Sequence, residues 1–544
     1  MKPRLTVALV LLSAIVLRGW IGAAAIDLSP TSWPPGDLER YAELTTNYDR
    51  PHPRGVGRKG VIAGTTSALA VRAGLEALKQ GGSAIDAASV TAMVQIVLTA
   101  GCCMSFAGDY MLTYYDAARD RVSYLDASLA TVRRETDPLT IPPRGSPSGR
   151  SALVPGFMDG IRAGHERYGR IPWSELFTPA IYFAREGFIL DDFLERAFAY
   201  REDVLTRLPE TRRIFISSDG DLYRAGEVFR QPQLAETLQR VARKGAKEMY
   251  TGRWGKKLVR LVRREGGRMR RSDLRRYDAA WGEVVHVRYR DHEIYLPGAP
   301  ATGGGYIEWI LSQLKPHAMR QMGHYTRSAD SLYYLMSANR QFWLGGHYGA
   351  SLASRRDSDH TDSVVVVDDE GNVAAAQYSI YTRLWGTTGI FVDGVSIGDT
   401  AAQHQEEIAG LRPGELLPNP GNTLIAMKGG RPTLAVASIG GGLIGVTAQT
   451  LVDLVDYRLD VKQAQATPTV RRPDPDLPGE PSRVTQGQFA ASLLEAVRNM
   501  GIPIVEEPAG EVTAEGYWSG VTISPGGRLV GATSNYFNGW AEGY

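Results

Sequence analysis

The stretch from Ala84 to Thr99 most constrains the fold: it reads as a helix whose polar positions are limited to Asp86, Gln95 and a few Ser and Thr residues. A helix apolar on nearly every side cannot rest on a surface and must be sandwiched between layers. A first helical pattern, Thr66 to Gln80, ends at Gly81-Gly82, and the second ends at Gly101, so both carry glycine stop signals. Beyond them, Asp109 to Tyr115 and Arg121 to Leu125 read as strands around a turn at Asp116 to Asp120. Residues 150 to 345 read mainly as helix. From Ser363 the texture changes: Val364 to Val367 is an unbroken β-branched run, Asp368 to Asn372 a turn, and Val373 to Ile380 a returning strand. Thr361 lies at the mouth of that hairpin. Thr423 to Met427 and Thr433 to Ala437 bracket Lys428-Gly429-Gly430 as a second strand pair, which runs into Gly440-Gly441-Gly442 and a helix over Val446 to Tyr457. Pro473 to Pro481 is a surface loop. Hairpins flanked by helices, without strict βαβ alternation, predict a layered α/β sandwich.

Bulk charge excludes some partners. The 61 basic and 59 acidic side chains nearly cancel, leaving no global field to attract nucleic acid or an anionic membrane. The arginine-dense stretch Lys256 to Arg276 contains Leu258, Leu261 and Val262 at helical spacing, and is read as a solvated amphipathic helix. The two cysteines, Cys102 and Cys103, are sequence neighbours that an ordinary trans dipeptide does not let bridge, and are read as small buried apolar residues. Lys2 and Arg4 precede an apolar run from Leu5 to Leu17, and Ala23-Ala24-Ala25 follow; this is the layout of an export signal over residues 1–25. The run is too short for a bilayer, so the expected product is exported, periplasmic or secreted, without a stable membrane span.

Standard sites fail on spacing. There is no His-Glu-x-x-His, no Cys/His cluster with zinc spacing, no phosphate loop at Gly252 to Lys257 and no dinucleotide fingerprint at Gly440-Gly441-Gly442. Gly394-Val395-Ser396-Ile397-Gly398 matches a nucleophile elbow, but the single downstream histidine, His404, follows too closely for an intervening strand and helix. Thr361 is different in context. A threonine freed by cleavage carries its own general base, the α-amine, and belongs where a flexible polar segment meets a rigid strand. Arg355 to His360 is such a segment, and Ser363 to Val367 such a strand.

These residues sit in a chain that resembles the gamma-glutamyltranspeptidase family over most of its length after about residue 60. Leu78 to Ala88, with Gly81-Gly82-Ser83-Ala84-Ile85-Asp86-Ala87-Ala88, is similar to the family's "GGNAVDAA" signature, and Ala107 to Leu112 resembles its glycine-rich strand. Val154-Pro155-Gly156, Tyr168-Gly169, Pro179-Ala180 to Phe188, Gly266-Gly267 with Asp273-Leu274 and Tyr277, Gly303 to Gly305, Val366 to Asp368 with Gly371-Asn372, Gly386 to Ile390 and Gly543-Tyr544 extend the match. The resemblance implies a four-layer αββα sandwich of the N-terminal nucleophile hydrolase type. It also implies a precursor that cuts itself between His360 and Thr361 into a large subunit (26–360) and a small one (361–544), and no metal or cofactor. Thr361 then matches the nucleophile and Ser379 a second hydroxyl that hydrogen-bonds it. Gly440 and Gly441 match the glycine pair whose backbone NH groups stabilise the oxyanion.

The substrate pocket departs from the family. Ser128 stands where an arginine holds the glutamyl α-carboxylate, and a serine cannot form a bidentate charged pair. Tyr381 replaces an asparagine, Thr400 and Gln403 replace the residues that bind the α-amine, and Pro418-Asn419 replace paired serines. Asp362 and Ser363 follow the nucleophile where threonine and histidine are usual. The expected activity is therefore hydrolysis or acyl transfer at an amide-like bond of a small molecule other than a typical gamma-glutamyl compound. Tyr381, Trp385 and Phe391 are read as lining an apolar acyl pocket or as core aromatics. A family branch cleaving a carbon-carbon bond beside a carbonyl, and a non-catalytic binding module, are the alternatives.

Overall fold

The structure is a computed structural model of the 544-residue chain; it describes residues 26–48, 54–346, 361–382, 384–440, 443–474, 476–508, 517–534 and 538–544. The segment 1–25 read as an export signal, His360 and Gly441 lie outside the described residues.

Two seven-stranded sheets, antiparallel throughout, form the centre. The front sheet runs in the order Asn538–Gly543, Val61–Thr66, Thr361–Val367, Val373–Ser379, Tyr110–Asp116, Arg121–Ala127, Ala280–Gly282. The back sheet runs Arg54–Gly57, Leu529–Thr533, Tyr517–Ile523, Arg431–Ile439, Leu424–Lys428, His292–Pro297, Val284–Tyr289. Helices Ala68–Lys79 and Ala84–Leu98 cover the front sheet, while Gly303–Leu314 and Leu443–Leu451 lie on the back sheet with Ala329–Leu344 packed against them. The result is the expected αββα order, with a separate apolar core at each of its three interfaces.

The strand alternation explains the β-branched run. Val364 and Val366 enter the core shared with the helices, whereas Val365 and Val367 enter the core between the sheets. Their partners divide the same way: Ala374 and Ala376 face the helices, Val373 and Ala375 the facing sheet. Both faces are dry, so there is no polar alternation to read. Every residue of Ala84–Leu98 is buried, as its composition required; Ser83 and Asp86 form a capping box at its start.

Some boundaries differ from the sequence expectation. The region read as mainly helical also contributes the strands Ala280–Gly282, Val284–Tyr289 and His292–Pro297. The arginine-dense stretch is two helices, Arg253–Arg264 and Arg271–Arg275, broken at Gly266, which has φ +82°. The helix expected over Val446 to Tyr457 starts at Leu443 and widens into a π-turn over Val452–Asp456. Among the described residues no helix is long and apolar enough to cross a membrane.

Candidate active site

Thr361 opens its strand directly opposite Ser379, the last residue of the neighbouring strand. By the alternation above, both side chains project towards the facing sheet, and the Thr361 hydroxyl donates to Ser379 Oγ at 3.2 Å. Ser379 Oγ also accepts the Tyr381 backbone N–H at 2.9 Å. Two residues along, Ser363 Oγ donates to the carbonyl of Ala437 at 3.2 Å, which ties the start of this strand to the far end of Arg431–Ile439. Gly440 follows that end with φ +90°, a left-handed conformation that suits glycine.

A residue that the sequence reading passed over organises this corner. Asp109, 2% exposed, precedes the Tyr110–Asp116 strand. Its Oδ1 accepts the Ser379 backbone N–H at 2.5 Å, its Oδ2 accepts Asn419 Nδ2 at 2.6 Å, and the Tyr381 hydroxyl donates to it. The Asp109 N–H in turn donates to the Ser379 carbonyl at 2.9 Å. Gly108 lies so close to Ser379 that a Cβ there would collide with the same carbonyl. Burial raises the Asp109 carboxyl from 3.8 to about 7, against the lowering pull of those three donors; Asp126 adds repulsion. The signal available in sequence was an acid placed at the head of a strand that is aromatic and aliphatic apart from Thr113 up to Tyr115.

The structure thus brings Thr361, Ser379, Tyr381 and Asn419 together. Tyr381 is held at φ +49° between its own N–H on Ser379 and a carbonyl that accepts Gln403 Nε2. Thr400 Oγ1 donates to the Ile380 carbonyl at 2.8 Å. Thr400 and Gln403 accordingly brace the backbone that carries Tyr381. Ser128 donates to Asp126 Oδ1 at 2.5 Å, and its carbonyl accepts the Tyr277 hydroxyl at 2.7 Å. Among the described residues, Asp126 is the carboxyl next to Asp109, and burial raises both. Cys102 and Cys103 are buried, and their carbonyls accept the N–H groups of Trp385 (2.6 Å) and Ile380 (3.2 Å), fixing the same segment.

Other candidates resolve as structural. Trp385 packs on Phe198 and Phe215, and Phe391 on Phe215, so both are core aromatics and do not line an acyl pocket. Ser396 donates to the Gly101 carbonyl at 2.8 Å while His404 pairs with Glu407, so no serine–histidine couple exists there. Asp362 points away from Thr361, into the helix layer, where it accepts Thr65 Oγ1, Thr66 Oγ1 and the Ser363 N–H. Its burial raises the carboxyl from 3.8 to about 7.

The chain as a whole is similar to known proteins. The Gamma-glutamyltranspeptidase family model matches residues 70–345. The glutathione hydrolase proenzyme of Escherichia coli K12 is 26% identical over 537 residues, covering 88% of this chain and 90% of that protein. The Pseudomonas aeruginosa glutathione hydrolase proenzyme is 26% identical over 449 residues, covering 72% and 79%. Among solved structures, the cephalosporin acylase from Bacillus halodurans superposes with a TM-score of 0.77 at 20% identity, over 92% of this chain and 98% of that one, a likeness of fold. With a family model spanning half of the sequence and the αββα sandwich in place, the chain belongs to the gamma-glutamyltranspeptidase family, a hydrolase and acyltransferase lineage of the N-terminal nucleophile fold.

Proposed function

We propose that the chain is a precursor that cuts itself between His360 and Thr361, and that the freed Thr361 is the nucleophile of a hydrolase or acyltransferase acting on an amide-like bond. The observation that carries this reading is the Thr361–Ser379 hydroxyl pair at the mouth of a rigid hairpin, on the strand whose Ser363 bonds Ala437 near the end of Arg431–Ile439, which Gly440 follows.

In the proposed reaction the α-amine of Thr361 takes the proton from Oγ1 as that oxygen attacks the substrate carbonyl carbon. The carbonyl π electrons move onto oxygen, where backbone N–H groups at Gly440 and Gly441 would stabilise the charge. The tetrahedral species collapses, the carbon–nitrogen bond breaks, and the amine leaves with the proton returned by the α-ammonium group. An ester on Thr361 remains, which water or an acceptor amine cleaves. Ser379 orients the Thr361 hydroxyl, and Asp109 positions Ser379 and Asn419 from behind.

The substrate reading follows from Ser128. It stands where the family has an arginine and is committed to Asp126, so it offers a substrate carboxylate no bidentate charged pair. The acyl group is therefore uncharged at that end, and glutathione is a poor substrate. Residues 26–360 and 361–544 would form the two subunits of an exported enzyme. Intact mass and N-terminal sequencing of the purified protein and of Thr361→Ala test the proposal. Two chains, the smaller beginning Thr361-Asp362-Ser363, with an uncut variant, are expected; a wild type that stays whole refutes self-processing.

A further inference from the structure

The chain's nearly balanced charge hides one strongly asymmetric feature. The helices Pro232–Lys244, Lys247–Tyr250 and Arg253–Arg264 enclose a cleft of about 750 Å³ whose lining includes six cations: Lys244, Lys247, Arg253, Lys256, Lys257 and Arg260. The acid among its lining residues, Glu248, is buried and turned towards Arg240 at 3.4 Å. Lys257 is paired with Asp393. Lys244, Lys247, Arg253, Lys256 and Arg260 are exposed and make no ion pair with an acid among the described residues. In a chain of formal net charge +2, such a concentration leaves the remainder acidic and creates a local positive field.

The placement of these cations runs against the local rules of helix stability. Arg253 and Lys256 sit in the first turn of Arg253–Arg264, the positive end of the helix dipole, where acids are favoured and cations are not. That turn holds no acid, and its N-cap, Gly252, supplies no side-chain hydrogen bond to the leading N–H groups. Packing cannot explain the choice of charge. The buried side of the helix is Trp254, Leu258, Leu261 and Val262, anchored by Trp254 Nε1 donating to the Val392 carbonyl at 2.9 Å, and the cations occupy the opposite, solvated side. A helix start without an acid or a cap, surrounded by unpaired cations on a rigid apolar anchor, is preorganised for an anion from outside the chain.

We propose that this cleft is a binding site for a ligand carrying two or more phosphate groups. Phosphate chemistry is indicated because Arg253 and Arg260 offer bidentate forks, the lysines offer point charges, and the helix start offers backbone N–H groups. One oxyanion would leave most of five cations unneutralised, which argues for clustered phosphates. No aromatic side chain lines the cleft to stack a base, so the phosphates themselves are what is recognised. The cleft shares no lining residue with the Thr361 corner, so the proposal stands independently of the catalytic reading.

The test uses the purified full-length protein in low-salt buffer, titrated calorimetrically with pyrophosphate and, separately, sedimented with vesicles of phosphatidylcholine with and without phosphatidylglycerol. The variant is Lys256→Gln/Arg260→Gln, both exposed and outside the proposed catalytic groups; the control, Arg213→Gln/Arg275→Gln, removes the same charge elsewhere on the surface. Binding that weakens at least about tenfold in the cleft variant, and not in the control, is expected from the loss of two charge-assisted contacts. Pyrophosphate binding without vesicle binding assigns a free phosphorylated ligand, and binding to the phosphatidylglycerol vesicles assigns a lipid headgroup. Absence of binding to both probes, or equal weakening in the cleft and control variants, overturns the proposal.

Discussion

Replacing Asp109 by asparagine separates the titration of that carboxylate from its geometry. The ordinary carboxyl value of 3.8 is raised to about 7 by burial. At about 1.4 kcal/mol per tenfold change, that difference corresponds to roughly 4 kcal/mol, an upper bound for one buried group. The sign follows from proton counting. Between pH 3.8 and about 7 the unfolded chain has released the proton while the folded chain still holds it. Stability contributed by this group is therefore complete below the lower value and lost as pH rises through the upper one. Asparagine does not titrate, but its amide would face Asn419 Nδ2, whose own Oδ1 already accepts the Gly421 N–H at 2.8 Å. That local cost, about 1–3 kcal/mol, is present at every pH and cancels when the variant is compared with wild type at two pH values. Urea unfolding at pH 4.5 and 8, in a Thr361→Ala background that keeps the chain whole, should show the variant gaining about 2–4 kcal/mol on wild type at the higher pH. Self-cleavage supplies a second readout without any substrate. Three donors converge on Asp109, so protonation sets a donor against a donor; processing should slow as pH falls through about 7 in wild type, and that limb should vanish in Asp109→Asn. A relative gain below about 1 kcal/mol, or an unchanged acid limb, would refute both the ionisation and the positioning role.

Three further outcomes follow from the same corner. Ser379→Ala removes the acceptor of the Thr361 hydroxyl and should lower the processing rate by about 10–100-fold with little loss of stability, read by gel densitometry of the precursor. Gly440→Ala forces a Cβ into φ +90° and should cost about 1–2 kcal/mol while reducing acyl-enzyme formation, followed by intact mass with an amide panel. Tyr381→Phe removes one donor from Asp109 and should move the acid limb of processing upward in pH; a downward or absent shift would exclude that hydrogen bond.

Much of this architecture is legible in the sequence because its layers leave a mark on composition. A helix such as Ala84–Leu98 with no polar side, and a strand such as Val364 to Val367 with no polar alternation, have few places to go other than between two dry faces. Thr361 and Ser379 are both singled out by the resemblance; the junction of a charged segment with that strand is context that a structural threonine would share. What escaped was decided by contacts distant in sequence. The strand begins at Thr361, three residues before the apolar run, because Thr361 and Asp362 pair with Ser379 and Tyr378 across the sheet. Asp109 was hidden in a glycine-rich stretch whose polar partners, Ser379 and Asn419, lie hundreds of residues away. The strands Val284–Tyr289 and His292–Pro297 show period-two alternation, but they sit in a region whose surroundings are helical and were read with them. Trp385 and Phe391 could not be assigned to pocket or core until Phe198 and Phe215 were placed against them.

The departure from the family pattern immediately after Thr361, Asp362-Ser363, falls on the two faces of one strand. Ser363 shares the Thr361 face and contacts Ala437 and Ser519, whereas Asp362 lies on the other, in a cage of Thr65, Thr66 and the Ser363 N–H with Gln95 Nε2 at 3.4 Å. A carboxylate so placed is expected to act on folding and not on processing. Its value, like that of Asp109, is raised from 3.8 to about 7 by burial, so it too withdraws stability as pH rises through that window. Compared with wild type, Asp362→Asn should therefore gain up to about 3 kcal/mol at pH 8 relative to pH 4.5, since the threonine hydroxyls can rotate to accept from the new amide. The rate of self-cleavage should change by less than about threefold, because Asp362 projects to the face opposite Thr361 and Ser379. A cleavage defect beyond about tenfold in a variant that remains folded would place Asp362 in the processing chemistry, and would mean that the face alternation at the first residues of the strand does not hold in the active precursor.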